Sequence, residues 1–266
     1  MLSLLLIAGL ALATEPEFEE TVKEAEEVEE AEGALSAELG GSWTTGNTDF
    51  WVLAAGLDAS YKWDMNQFGA KAGALVGRSR VDVDGDGLLS EAERDLSRTE
   101  TARKYFADAR YDRFVSERTS LYVLAGAFVD RFAGYDLRSH EQVGVSYAFI
   151  DAEDTKLLGE LGIDVAQEMY VEGVDPDYRD VVAARAMIGF HHAFNDSVAF
   201  DDKVEIFENV LDPEDLRVLN DASLSAKLSD KFSLKLSHKL TFDNQPVEGF
   251  RKLDQTTAVT FVASIF

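Results

Sequence analysis

The chain has 266 residues, 46% of them hydrophobic, which is long enough for one large domain or two small ones and too apolar for a chain disordered throughout. Its formal net charge of −25 excludes nucleic acid as a partner, because displacing counterions from a phosphate backbone needs Lys and Arg. Cysteine is absent, which excludes a disulfide framework and a thiolate metal site and suits passage through an oxidising compartment.

The first element is LSLLLIAGLALA, an apolar run too short to span a bilayer, ending in the small-x-small sequence Ala11-Leu12-Ala13. It reads as a secretory signal peptide over residues 1–13, although no Lys or Arg precedes the apolar run. Residues 15–33 then hold ten Glu and one Lys. Such closely spaced like charges repel, so 14–33 reads as an acidic, disordered leader and not as a helix.

From Leu35 onward the chain becomes a succession of alternating segments, and alternation at period two is the mark of strands with two different faces. About twelve are expected, near 35–45, 50–63, 67–79, 99–113, 119–131, 140–150, 157–171, 178–194, 198–210, 215–228, 231–242 and 253–266. In the second, Trp51, Leu53, Ala55, Leu57, Ala59, Tyr61 and Trp63 share a face, opposite Asp58, Ser60 and Lys62. Aromatic residues at both ends of that apolar face are what a lipid-facing strand presents to two interfaces. In the seventh, Leu161, Ile163, Val165, Met169 and Val171 oppose Glu160, Asp164 and Glu168. In the eleventh, Phe232, Leu234, Leu236, Leu240 and Phe242 oppose Ser233, Lys235, Ser237, Lys239 and Thr241, with His238 interrupting the apolar face.

Segments this long exceed the usual soluble strand and suit a tilted crossing of a bilayer. The connections alternate as well. Every second one is a short turn (DMNQ, VSERT, DAEDTK, NDS, SDK), while most of the others are longer, such as 80–98, 132–139, 172–177 and 243–252. Short periplasmic turns and longer external loops characterise outer-membrane barrels. The expectation is therefore an all-β fold: a transmembrane, antiparallel, up-and-down β-barrel of about twelve strands over residues 34–266, in a bacterial outer membrane. A soluble β-sandwich secreted to the periplasm is the alternative, and it leaves the aromatic belts without a reason.

Three blocks carry a family resemblance: GNT at 46–48, DRFAGYDLRSHEQVGVSYAFID at 130–151 and FDNQPVEGFRKLDQTTAVTFVASIF at 242–266. With them the chain resembles the YdiY-like, salt-induced outer-membrane proteins. The resemblance implies an outer-membrane β-barrel and no particular chemistry, and its name suggests a part in salt or osmotic stress. The terminal Phe266 looks like the signal read by the outer-membrane assembly machinery, from which Ser264 departs.

One loop stands apart from that family. DVDGDGLLSEAE, Asp82 to Glu93, has the acid spacing of an EF-hand calcium loop. Asp82, Asp84 and Asp86 take its first three ligand positions and Gly87 its sharp turn; Leu88 supplies a carbonyl, Ser90 the position often bridged by water, and Glu93 the bidentate carboxylate. Strand periodicity upstream leaves no entering helix, so a paired-hand sensor is not expected; because every ligand position is filled, calcium binding is the expectation, with a solvated acidic loop in which Ser90 and Glu93 form a capping box as the alternative. On the external side a weak site, filled at about 10⁻⁴ to 10⁻³ M calcium, would order the loop or bridge it to anionic lipopolysaccharide.

Other candidates are fewer. His191 and His192 are adjacent on a strand, so they point to opposite faces and cannot share a metal. No GxSxG elbow or HxS pair supports a phospholipase-like surface hydrolase, so an enzyme is not expected. The inward face carries both signs, at Asp58, Lys62, Lys71, Lys104, Asp108, Arg110, Asp112, Glu160, Asp164, Glu168, Arg185, Lys203, Glu205, Lys227, Lys235 and Lys239. Those charges either fill a closed interior with cross-strand pairs or line a narrow pore. The sequence favours a filled or narrowly conducting barrel, structural or passively conducting, with membrane lipid, lipopolysaccharide and the assembly machinery as partners.

Overall fold

The computed structural model describes residues 28–44, 49–80, 93, 96 and 98–265, of which 28–31 and 44 are described by backbone alone. The candidate signal peptide, most of the leader and nearly all of the calcium-type loop lie outside the described residues.

The described residues form the strands β1 (Val28–Thr44), β2 (Phe50–Asp64), β3 (Asn66–Ser79), β4 (Thr99–Ser116), β5 (Thr119–Asp130), β6 (Tyr135–Asp151), β7 (Thr155–Tyr170), β8 (Tyr178–Asn195), β9 (Val198–Asn209), β10 (Leu216–Ser229), β11 (Phe232–Asp243) and β12 (Leu253–Ser264). Each pairs antiparallel with its sequence neighbours, and β12 returns to β1, giving a closed twelve-strand up-and-down barrel. Closure leaves no sandwich and satisfies the backbone between strands, which is the condition for crossing hydrocarbon with strands. The closing seam is the shortest pairing, running from Ser36↔Ser264 to Leu39↔Phe261.

The barrel is inside-out relative to a soluble protein. Leu39, Leu53, Leu57, Val143, Leu161, Ile188 and Val259 are exposed on the outer wall, whereas Asp58, Lys71, Arg110, Glu160, Asp164 and Glu168 are buried within. A broad exposed apolar surface is unfavourable in water and favourable against lipid, where only the interior need be polar. Aromatic rings cluster on the outer wall toward the short turns, as with Trp63 between Tyr61 and Tyr111 (centroids 5.5 and 6.3 Å) and Tyr147 against Phe149 (5.1 Å). Toward the long loops stand Trp43, Tyr105 and Tyr178. These two groups form the interfacial girdles.

The short turns are tight. Between β2 and β3 only Met65 intervenes, with Asp64 at φ 47°, a left-handed conformation that Asp tolerates better than most residues. At the other end, the 244–252 loop folds inward: Val247 is buried and packs against the 131–134 turn.

Candidate functional site

The interior is held together by a row of residues crossing six strands. Register places Asp112, Tyr122, Gly144, Gly162, Arg185 and Phe207 side by side on β4 to β9. The two glycines make room for the Tyr122 ring, since a Cβ at Gly144 would stand 2.6 Å from the Tyr122 hydroxyl oxygen and one at Gly162 only 2.5 Å from it. Tyr122 therefore lies across two neighbouring strands and accepts a hydrogen bond from Arg185 Nη1 at 2.8 Å. Its ring also carries the Arg110 guanidinium, 4.2 Å from the centroid, a favourable cation–π contact.

Around this tyrosine the charges interlock. Arg110 donates to Asp112 Oδ2 at 2.7 Å, to Glu160 Oε1 at 2.7 Å and to Ser146 Oγ at 3.1 Å. Glu160 accepts on its other oxygen from Arg185 at 2.7 Å, and Arg185 Nε reaches Glu205 at 3.0 Å. Lys203 completes the set at 2.9 Å from Glu205. Three cations meet three carboxylates in short, partly bidentate bonds, the geometry in which buried pairs offset their desolvation. The group joins side chains from β4 to β9, and we call it the charged floor.

A second layer lies nearer the long loops. Glu168 accepts from Arg138 at 3.0 Å, from the Tyr170 hydroxyl at 2.5 Å and from Arg217. Arg217 extends to Asp215 and Asp243, each at 3.3 Å, and Arg179 reaches Asp215 at 2.9 Å. The opposite wall is closed by apolar packing, Phe106 and Leu75 against Ala54 and Ala258. Asp164, Glu168, Ala54 and Ala166 have 0% of their surface accessible, which a wide aqueous lumen would not allow. Between floor and loops lies a cavity of about 460 Å³.

The charges read as inward-facing do face inward. Lys71 pairs with Asp58 at 2.8 Å, Lys104 with Asp130 at 3.2 Å, and Lys235 with Glu38 at 3.6 Å. Lys227 sits at the rim, on Asp230 at 3.1 Å. His191 turns inward to Asp201 at 2.7 Å and His192 outward to Thr155 at 2.9 Å, so the two occupy opposite faces as alternation requires. His238 is satisfied on the outer wall by Thr257 at 2.8 Å. Sequence reasoning did not single out Tyr122, Arg138, Arg217, Asp243 or the glycine pair. The available signal was a glycine at matching inward positions of consecutive strands.

Of the calcium-type ligands, Asp82, Asp84, Asp86, Leu88 and Ser90 lie outside the described residues. Glu93 is described: it is buried at 6% exposure, its backbone is helical, and its carbonyl accepts from the Leu96 amide at 3.1 Å. Among the described residues no group of three or more His, Cys, Asp or Glu could hold a metal ion.

A closed antiparallel barrel with a polar, ion-paired interior and an apolar outer wall defines the class of the protein as a transmembrane β-barrel. The chain belongs to the family described as "Protein of unknown function, DUF481", whose model matches residues 37–265, in line with the YdiY-like resemblance. Among solved structures it is similar in fold to the translocator domain of the autotransporter NalP from Neisseria meningitidis, at 13% identity and a TM-score of 0.44, covering 88% of this chain and 87% of that one. It is also similar to the Pseudomonas putida toluene transporter TodX, at 9% identity and a TM-score of 0.38, covering 88% of each chain. A third similar structure is the KdgM porin in complex with disordered oligogalacturonate, at 7% identity and a TM-score of 0.38, covering 87% and 96%. No curated protein matches the chain.

Proposed function

We propose that the protein is a bacterial outer-membrane barrel, not an enzyme, whose lumen is closed by the charged floor and admits small solutes or ions only when that floor rearranges. The bonds that join Arg110, Tyr122, Glu160, Arg185 and Glu205 across β4 to β9 carry the reading. The apolar wall with its two aromatic girdles supports a membrane location, and the alternation of short turns with long loops supports an outer membrane with the long loops outside. Lipid and lipopolysaccharide are then its neighbours, and the assembly machinery acts on its last strand. The salt- or osmotic-stress role suggested by the resemblance belongs to the same proposal. Because buried pairs are weakly screened, salt would have to act on the exposed loops and not on the floor itself.

The absence of cysteine makes the closed lumen testable with single introduced thiols. In oriented vesicles, a charged thiol reagent that does not cross lipid is expected to modify Thr241→Cys, on the cavity wall, only from the long-loop side. Lys227→Cys, at the opposite rim, should react only from the short-turn side. Modification of either position from both sides would end the proposal of a closed floor.

The loop 82–93 is proposed to bind calcium through Asp82, Asp84, Asp86, the Leu88 carbonyl, Ser90 and Glu93, on the strength of its ligand spacing. Calorimetric titration of the folded barrel with calcium chloride is expected to give saturable heat that Glu93→Gln diminishes. A wild-type titration without heat would remove calcium from the account.

A further inference from the structure

The wall of the 460 Å³ cavity has a character that the charged floor does not need. The chain as a whole is strongly acidic, yet nine Lys and Arg side chains against five Asp and Glu line this space. Most of those cations have acids behind them, as Arg110, Arg185, Arg138 and Arg217 do. Lys239 differs. It points inward from β11, half-buried, and no ion pair reaches it among the described residues, Asp221 opposite it in register included. Lys104, on β4, lines the same cavity and is paired with Asp130.

Part of the remaining surface is polar, at His140, Gln142, Thr241, Gln255 and Thr256, and a large part is apolar. Phe106, Phe128, Leu219, Val247 and Phe250 line it, and Phe128 lies beneath the Lys104 ammonium at 5.5 Å. An ammonium without an ion pair, in a partly apolar cavity that holds more cations than acids, is unfavourable when nothing answers its charge. It is answered by an anion, and the rings are answered by an apolar body. The volume falls in the range of pockets that take small organic ligands, which are mostly apolar with a few placed polar groups.

We infer that this cavity is a binding site for a small organic anion, a single carboxylate or sulfonate held by Lys239 and Lys104 on an apolar body packed against Phe106, Phe128 and Phe250. The inference needs only the cavity, so a barrel found to conduct would leave it standing.

The test is calorimetric titration of the full folded barrel, in a non-ionic detergent and against protein-free micelles, with 2-naphthoate. Two comparators separate the two halves of the site: 2-naphthamide has the body without the charge, and acetate the charge without the body. Saturable one-to-one binding of 2-naphthoate is expected, with both comparators at least about tenfold weaker, since a charge-assisted hydrogen bond is worth about 1.5–3 kcal/mol and 1.4 kcal/mol is tenfold. Lys239→Gln should weaken 2-naphthoate by about tenfold or more, while Lys239→Arg, which keeps the charge, retains it. Circular dichroism of each variant shows that the barrel is intact. The inference is overturned if 2-naphthoate gives no saturable heat, if 2-naphthamide binds as tightly, or if a folded Lys239→Gln barrel binds it as well as wild type does.

Discussion

Glu160→Gln is expected to lower the unfolding free energy of the barrel by about 3–5 kcal/mol, the usual result of removing one partner from a buried charge network. Glu160 is 2% exposed and joins two guanidinium groups, Arg110 at 2.7 Å and Arg185 at 2.7 Å. Glutamine keeps the shape and an acceptor oxygen but removes the charge. Two buried cations on neighbouring sides of the lumen would then share only Asp112 and Glu205. Urea unfolding in phospholipid vesicles measures the loss. A change below about 1 kcal/mol would mean that the floor is wet and its bonds replaceable by water, as in exposed pairs.

The next residue along the chain makes the second test, because one step on a strand turns the side chain to the other face. Leu161 is 65% exposed on the outer wall, near the middle of β7. Leu161→Arg is expected to cost about 2–4 kcal/mol, the range for a cation on the lipid face at the bilayer midplane. The same substitution on the surface of a water-soluble barrel would be nearly neutral. Comparing refolding into vesicles with wild type therefore decides what the outer wall faces, and a neutral result would mean that it does not face lipid.

Much of this architecture was legible in the sequence because the alternation is strong. The faces of β2 and β7 are those the pattern assigns: Leu53 and Leu57 are exposed while Asp58 and Lys62 are buried, and Leu161 is exposed while Glu160 and Asp164 are buried. The starts of two strands were less visible. β6 begins at Tyr135, not near 140, because a register shift between Tyr135 and Leu137 breaks the period-two pattern there. β1 begins at Val28, not near 35, where Glu dominates and few apolar residues mark a face; Glu32 stands opposite Lys62.

What alternation cannot give is register across several strands. Period two says that Tyr122, Gly144, Gly162 and Arg185 all point inward, but only pairing through β5 to β8 puts them in one row. The charged floor follows from that row, and the proposal of a closed lumen rests on it. Lys227 illustrates the same limit: its parity is inward, yet it lies so near the end of β10 that it bridges to Asp230 at the rim, 47% exposed. Lys239 reads like every other inward lysine in the sequence, and only its surroundings distinguish it.

The central claim is that the interlocked charges of β4 to β9 shut the lumen. Its most direct test is current across a planar bilayer holding the refolded barrel, wild type beside Glu160→Gln. The account predicts a silent wild type and discrete steps in the variant, whose floor has lost the carboxylate shared by Arg110 and Arg185. Steady, open current through the wild-type barrel would contradict it.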